Sequence, residues 1–490
     1  MSINNDDITP SKDNEIREPM YGMSINENPK ERNPNSSNKL LGVFYGIGMN
    51  VNTIIGSGIV TTPGIIWNLV KSPIVVLLLW FVGGIVSMAG SLSYVELGVI
   101  HKISGGETKY LQTAYPQPRI MMSYLFSFMH IFAIRPGIIS AVLQSAAQYF
   151  WYTLKEHQYD DGIDINTNGW KLPFTPFWYV KLLAIAFLLI ITAYHMFNTR
   201  WAIYINQTLA VIKLITYSII AIAGIYRLFA DWPTSRTNWQ NSLNGNSDIT
   251  AYSASILLIT FSYDGWNSLN YSLDEFRKPE KKLIFSNSIS VGIVILVYLL
   301  INIAFISVVP AEAILDNDKS SYETIAVVFF YKLFGQSPVT VRIFTALVVL
   351  SVIGTAATGI WSLFGVHLLS YSLEVIRYRN KGNLKKEKND KELNEKSDRS
   401  SKIEYEVSLF FVGIFILAGL FILIFSFMVH VECPNYNPNC SLREKRIEQM
   451  SPMLISYGFL IIALLFYLFY YCLDTLKRQR EAKIIRIADK

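Results

Sequence analysis

The sequence predicts an all-α polytopic membrane protein, and three observations carry that prediction. Ten apolar segments recur along the 490 residues, each near or above the roughly 20 residues with which a helix crosses a bilayer. Hydrophobic residues make up 51% of the chain and charged residues only 16%, against about 25% charged in a soluble domain; the mean hydropathy is +0.30. Two of the segments are interrupted at mid-depth, the first by Ile54-Ile-Gly-Ser-Gly-Ile59 and the sixth by Phe261-Ser-Tyr-Asp-Gly-Trp-Asn267. Unwound backbone at membrane depth is tolerated only where protein or a water-filled cavity covers it, and paired broken helices point to a ligand site between them.

The elements follow in order. Residues 1–40 are polar and rich in Asn, Ser, Glu and Lys, and are expected to form a disordered cytosolic tail. They hold no apolar core of a secretory signal, so the first span is expected to serve as its own insertion signal. The spans are placed at 41–70, 74–100, 120–150, 175–196, 203–229, 249–273, 284–309, 338–372, 406–430 and 452–475. Basic residues gather after the second, sixth and eighth spans and in the tail 476–490, whereas the loop after the third carries Asp160, Asp161 and Asp164. By the positive-inside rule both termini are cytosolic, in a multi-pass protein placed most simply in the plasma membrane. The charged segment 377–405 reads as a solvated linker, and 406–475 as a final helical pair. The net charge of +6 comes from loops beside apolar spans, so no nucleic-acid partner is expected; the lipid bilayer is.

Chemistry concentrates at the two breaks. Unwinding at Gly56-Ser57-Gly58 frees backbone amides at the start of the next half-helix, where the dipole also favours an anion. Glycine lets a carboxylate approach the backbone, and Ser57 adds a hydroxyl. The carbonyls of Ile54 and its neighbours suit an ammonium group, and a carboxylate site beside a carbonyl site describes the backbone of an amino acid. Ile59 completes the first break. In the second, Phe261 is large enough to act as a lid, Ser262 and Tyr263 offer carbonyls, and Asp264 is either a ligand group or a cap for the following half-helix. Lys213 lies inside the fifth span, where a charge costs at least about 2.5–3.5 kcal/mol by insertion scales. It is either a cation reaching toward the first break or a structural partner of a buried carbonyl or of Asp264.

The remaining titratable residues, among them Glu96, His101, His130, Arg135, His195 and His367, read as packed or interfacial groups. Pro136 and Gly137 kink the third span. Of three cysteines, Cys433 and Cys440 share one polar loop, a spacing that permits a disulfide, and Cys472 reads as packing. No metal spacing, cofactor motif or catalytic constellation is found, so an enzyme is not expected.

Several motifs resemble a known family. Gly56-Ser-Gly-Ile59 is similar to the first-helix motif of the amino acid–polyamine–organocation superfamily. Ser93-Tyr-Val-Glu-Leu-Gly98, Ser104-Gly-Gly-Glu107 and Tyr110-Leu111 look like its second helix and following loop. Phe261 through Asn270, with Glu275 and Lys278-Pro-Glu280, resembles the sixth helix of the L-type amino acid transporters; Lys213 and Arg135-Pro-Gly137 match their fifth and third helices. The tract from Trp80 to Glu107 is also similar to fungal methionine permeases. The resemblance implies a leucine-transporter-like inverted-repeat fold with broken first and sixth helices, its repeats at 41–229 and, incompletely, 249–376. It implies sodium-independent transport of neutral L-amino acids, methionine among them, by alternating access. The resemblance implies substrate contacts at Ile54, Ser57, Gly58, Ile59, Phe261 and Asp264, to which the reading of the breaks adds Gly56, Ser262 and Tyr263, with Lys213 in the coupling position that sodium-coupled relatives give to an ion.

Two departures qualify it. Residues 151–174 lack the cysteine through which animal L-type members hold a heavy chain, so no disulfide-linked partner is expected. The family has twelve spans and this chain ten, the ninth helix being absent; self-association is expected to cover the face so exposed, through the small residues Gly354, Ala356, Ala357 and Gly359. A non-transporting amino acid sensor is the alternative function.

Overall fold

The computed structural model describes residues 42–101, 104–115, 121–154, 177–197, 199–230, 233–240, 243–275, 279–315, 323–334 and 337–362, with five positions between 461 and 468. The tail 1–40, Cys433, Cys440, His367 and most of 363–490 lie outside the described residues.

The described residues form helices joined by turns and short loops, with no strand among them. In chain order they form α1 Val43–Ile54, α2 Gly58–Val70, α3 Pro73–His101, α4 Gly106–Ala114, α5 Met121–Met129, α6 Arg135–Leu154, α7 Phe177–Phe197, α8 Thr199–Phe229, α9 Pro233–Gln240, α10 Ile249–Ser262, α11 Pro279–Val308, α12 Ala311–Leu315, α13 Ile325–Phe334 and α14 Pro338–Ser362. Six helical stretches are long and apolar enough to cross a membrane, and the pair α1–α2, bent by 43°, makes a seventh. The sixth segment is α10, which stops at Ser262 and resumes as a 3₁₀ turn over Ser268–Glu275. The first eight expected segments therefore coincide with helices, and the last two fall mainly outside the described residues. The chain is an all-α polytopic membrane protein. Its outward faces agree with lipid as solvent: Leu182 and Leu189 on α7 and Val211 and Ile222 on α8 are exposed.

Local chemistry explains the interruptions. α1 ends because Gly56, Ser57 and Gly58 are weak helix residues, and Ile55 takes extended backbone (φ −74°, ψ 92°). Gly265 in the second break has φ +108°, a conformation that favours glycine, and a Cβ there would lie 2.6 Å from the Thr53 methyl group. α5 and α6 form one span joined by a π-helical turn, His130–Ile134. Pro136 follows at once and supplies no N–H to the preceding turn, which accounts for the widened geometry.

The core is built around α11, which packs against α1, α3 and α8, while α14 packs against α6 and α8, and α10 against α2 and α3. Four helices fall between the expected segments, α4, α9, α12 and α13, of which α13 is a ten-residue helix buried against α2, α11 and α14. It is too short to span, and its six leading residues are all buried, so its apolar run serves packing. The small residues of α14 are used inside the chain. Gly354 faces Asn52 and Leu209, Gly359 faces Ile139, and Ala356 and Ala357 are buried.

Candidate functional site

The two breaks meet at an open cleft. The first break contributes Thr53, Ile54, Gly56, Ser57 and Gly58; the second contributes Phe261, Ser262 and Asp264. α6 adds Arg135, Ile138, Ile139 and Val142, and α14 adds Thr355, Ala356 and Gly359. Seven of the nine residues singled out in the sequence line this cleft. Ile59 and Tyr263 do not: both are buried behind the wall, and Tyr263 donates its hydroxyl proton to the Trp80 carbonyl at 3.3 Å.

The anion half of the cleft is built from backbone. Val60 and Thr61 donate to the Ser57 carbonyl, whereas the amides of Gly56, Ser57, Gly58 and Ile59 have no acceptor among the described residues. These amides stand at the N-terminus of the thirteen-residue α2, the positive end of its dipole. Gly58 is required here by the fold as well as by any ligand, because a Cβ on it would sit 2.6 Å from the Ser262 Cα. Thr62 ties the same two segments together through the Ser262 hydroxyl at 2.9 Å.

The carbonyl half differs from the sequence reading, in which the acceptors around Ile54 are open. Ile54 O lies 2.9 Å from the Tyr298 hydroxyl, and Ile55 O accepts from Thr355 Oγ1 at 2.9 Å. Asn52 O accepts from Lys213 Nζ at 2.7 Å and lies 2.9 Å from Thr355 Oγ1. Lys213 is fully buried, also donates to Thr355 Oγ1 at 3.0 Å, and makes no contact with Asp264. It stands behind α1 and off the cleft wall, pinning the last turn before the break. Thr355 gives no signal in the sequence, because in the stretch Gly354–Gly359, which also holds Thr358, it reads as one more small packing residue.

Charge enters the cleft twice. Asp264 is exposed there and its carboxylate has no hydrogen-bond partner among the described residues, so it does not cap the following turn; Ser268 closes that turn onto the Gly265 carbonyl instead. Arg135 is buried, donates from Nε to His130 Nε2 at 2.7 Å, and lies 5.9 Å from the Tyr271 ring centre. Acceptance by Nε2 requires the neutral imidazole with its proton on Nδ1. At the α4 end of the second break, the Glu107 carboxylate accepts from Asn267 Nδ2 at 2.5 Å and from the Tyr271 hydroxyl. The sequence alone presents Arg135 as a packed or interfacial group beside the Pro136–Gly137 kink, whereas the structure puts it on the cleft wall. Its place on the cleft wall follows from the π turn that rotates the start of α6. Among the described residues no group of His, Cys, Asp and Glu could hold a metal ion.

Residues 41–368 match the amino acid permease family. The b(0,+)-type amino acid transporter 1 of Mus musculus is 30% identical over 323 residues, 66% of this chain and 60% of that protein. The large neutral amino acids transporter small subunit 2 of Mus musculus is 28% identical over 300 residues, 61% and 52% of the two chains. The low-affinity methionine permease of Saccharomyces cerevisiae is 25% identical over 305 residues, 60% and 50%. The chain thus spans about half to three-fifths of the length of the curated relatives it matches.

Proposed function

The chain belongs to the amino acid permease family, in its L-type branch, and from that premise we propose that it carries neutral L-amino acids across a lipid bilayer by alternating access, without sodium. The observation that carries the reading is the adjacency of the unpaired amides of Gly56, Ser57 and Gly58, at the start of α2, and the helix-end carbonyls of Ile54 and Ser262, all of residues that line one cleft. That pairing matches the carboxylate and ammonium of a zwitterion. Ile138, Ile139, Val142 and Ala356 give the side-chain end an apolar wall, which suits a neutral side chain, methionine included. Sodium independence is supported by Lys213, whose ammonium already engages the α1 carbonyl next to the break.

One observation favours a broader substrate class. The free carboxylate of Asp264 in the cleft would complement a cationic side chain, so lysine or arginine is a second substrate class for the same site. Cytosolic termini fit the loop charges, and the plasma membrane is the proposed location. A disulfide-linked heavy chain is not proposed.

The test is uptake of labelled amino acids by proteoliposomes holding the purified full-length chain, with a panel of unlabelled competitors and with sodium replaced by choline. Saturable uptake that survives the replacement is the expected result. Binding without flux would turn the reading to a sensor, and neither binding nor flux for any amino acid would defeat it.

A further inference from the structure

We propose that His130 positions Arg135 on the cleft wall and that a proton on its imidazole undoes that placement, so that the grip of the cleft on its substrate depends on pH between about 5 and 8. This rests on the reading that the cleft takes an amino acid. His130 opens the π turn and Arg135 follows it, and the two are joined twice. The Arg135 amide donates to the His130 carbonyl, and Arg135 Nε donates to His130 Nε2 at 2.7 Å. In a regular α-helix residues five apart point about 140° away from each other. The wider turn is what lets these two side chains meet. Both are buried.

The side-chain bond has one possible polarity. A guanidinium only donates, so Nε2 accepts with its lone pair and the ring is neutral. One added proton removes that acceptor and sets two cations against each other in a buried site. The consequence reaches the cleft because Arg135 heads a stripe of α6. Ile138, Ile139 and Val142 follow it at the three-, four- and seven-residue spacing of one helix face, and all four line the cleft. A guanidinium pushed off the imidazole therefore moves at the head of the apolar wall. Around His130, Phe126 of α5 packs on the ring at 5.2 Å and Tyr271, after the second break, at 6.0 Å. Arg135 also lies 5.9 Å from the Tyr271 ring centre. Two carboxylates belong to these surroundings. Glu107 of α4 is taken up by the Tyr271 hydroxyl and Asn267, and Asp264 lines the same cleft as Arg135.

The experiment measures uptake of leucine, or of whichever amino acid the panel identifies, by the same proteoliposomes. The pH is kept equal on both faces and stepped from about 7.5 to about 5.5, across the imidazole range. In the wild type KM should rise about tenfold, the scale of losing a hydrogen bond from a charged group. His130→Gln keeps an acceptor oxygen and cannot take the proton. Its KM should stay within about threefold of the wild-type value at the upper pH and change less than about twofold over the range. Arg135→Gln removes the cation that the proton repels, so its profile should also be flat, whatever its KM. His195→Gln on α7 is the control, since that imidazole donates to the Ile191 carbonyl of its own helix; it should keep the rise. A flat wild-type profile, a rise that persists in His130→Gln or Arg135→Gln, or a rise lost in His195→Gln would overturn the proposal. Where His130→Gln does not fold, the wild-type and Arg135→Gln profiles decide it. A wild-type chain that neither moves nor binds amino acids at any pH would instead defeat the functional reading beneath it.

Discussion

The ammonium of Lys213 lies 2.7 Å from the carbonyl oxygen of Asn52, two residues before the end of α1, and no carboxylate accompanies it among the described residues. A buried cation thus holds the last helical turn before the first break, with Thr355 as its second acceptor. Lys213→Ala should lower the initial uptake rate at least tenfold at matched surface expression, since a buried hydrogen bond from a charged group is removed. Lys213→Arg should recover little, because the planar guanidinium does not fit a site shaped for an ammonium. Normal uptake by Lys213→Ala would remove this residue from the transport mechanism.

The first break separates two demands on glycine. In Gly58→Ala the new methyl group meets the Ser262 backbone at 2.6 Å, an overpacking that costs about 1–3 kcal/mol. Both uptake and the thermal midpoint in detergent should fall. Ser57→Ala removes one hydroxyl and leaves the free amides in place, so KM should rise only a few-fold, about 1 kcal/mol. A larger loss from Ser57→Ala than from Gly58→Ala would show that the hydroxyl, and not the backbone, is the main anion ligand.

Asp264 separates the two substrate classes. Asp264→Asn should leave leucine uptake within about threefold and abolish competition by lysine and arginine, because an unpaired carboxylate is the only anionic side chain on the described cleft wall. If the variant loses leucine and lysine equally, the carboxylate serves the cleft as a whole.

At the α4 end, Glu107 fastens the turn after the second break. Glu107→Ala leaves Asn267 Nδ2 and the Tyr271 hydroxyl without their carboxylate acceptor, at about 1–3 kcal/mol for a buried donor left unpaired. Thermal unfolding in detergent should shift down, and the shift should largely vanish in a Tyr271→Phe, Asn267→Ala background. An additive loss in that cycle would place the role of Glu107 elsewhere.

The sequence by itself determined the class of the protein and the two helix breaks that line the cleft. Apolar segments long enough to span, glycine at mid-depth in the first and sixth, and Lys213 inside the fifth are local features, so they can be read one segment at a time. The same locality put seven of nine candidate residues on the cleft. What only the tertiary structure decided were the partners. Tyr298 reaches Ile54 across 244 positions, Thr355 reaches Asn52 across 303, and Arg135 enters the cleft because a π turn rotates α6. It also decided that Ile59 and Tyr263 stand behind the wall, and that α13 is a buried helix. A spanning segment announces itself through its own transfer free energy, one residue after another. A hydrogen bond between distant helices depends on their rotation and depth, which are set by packing against neighbours and leave no periodic trace in either segment.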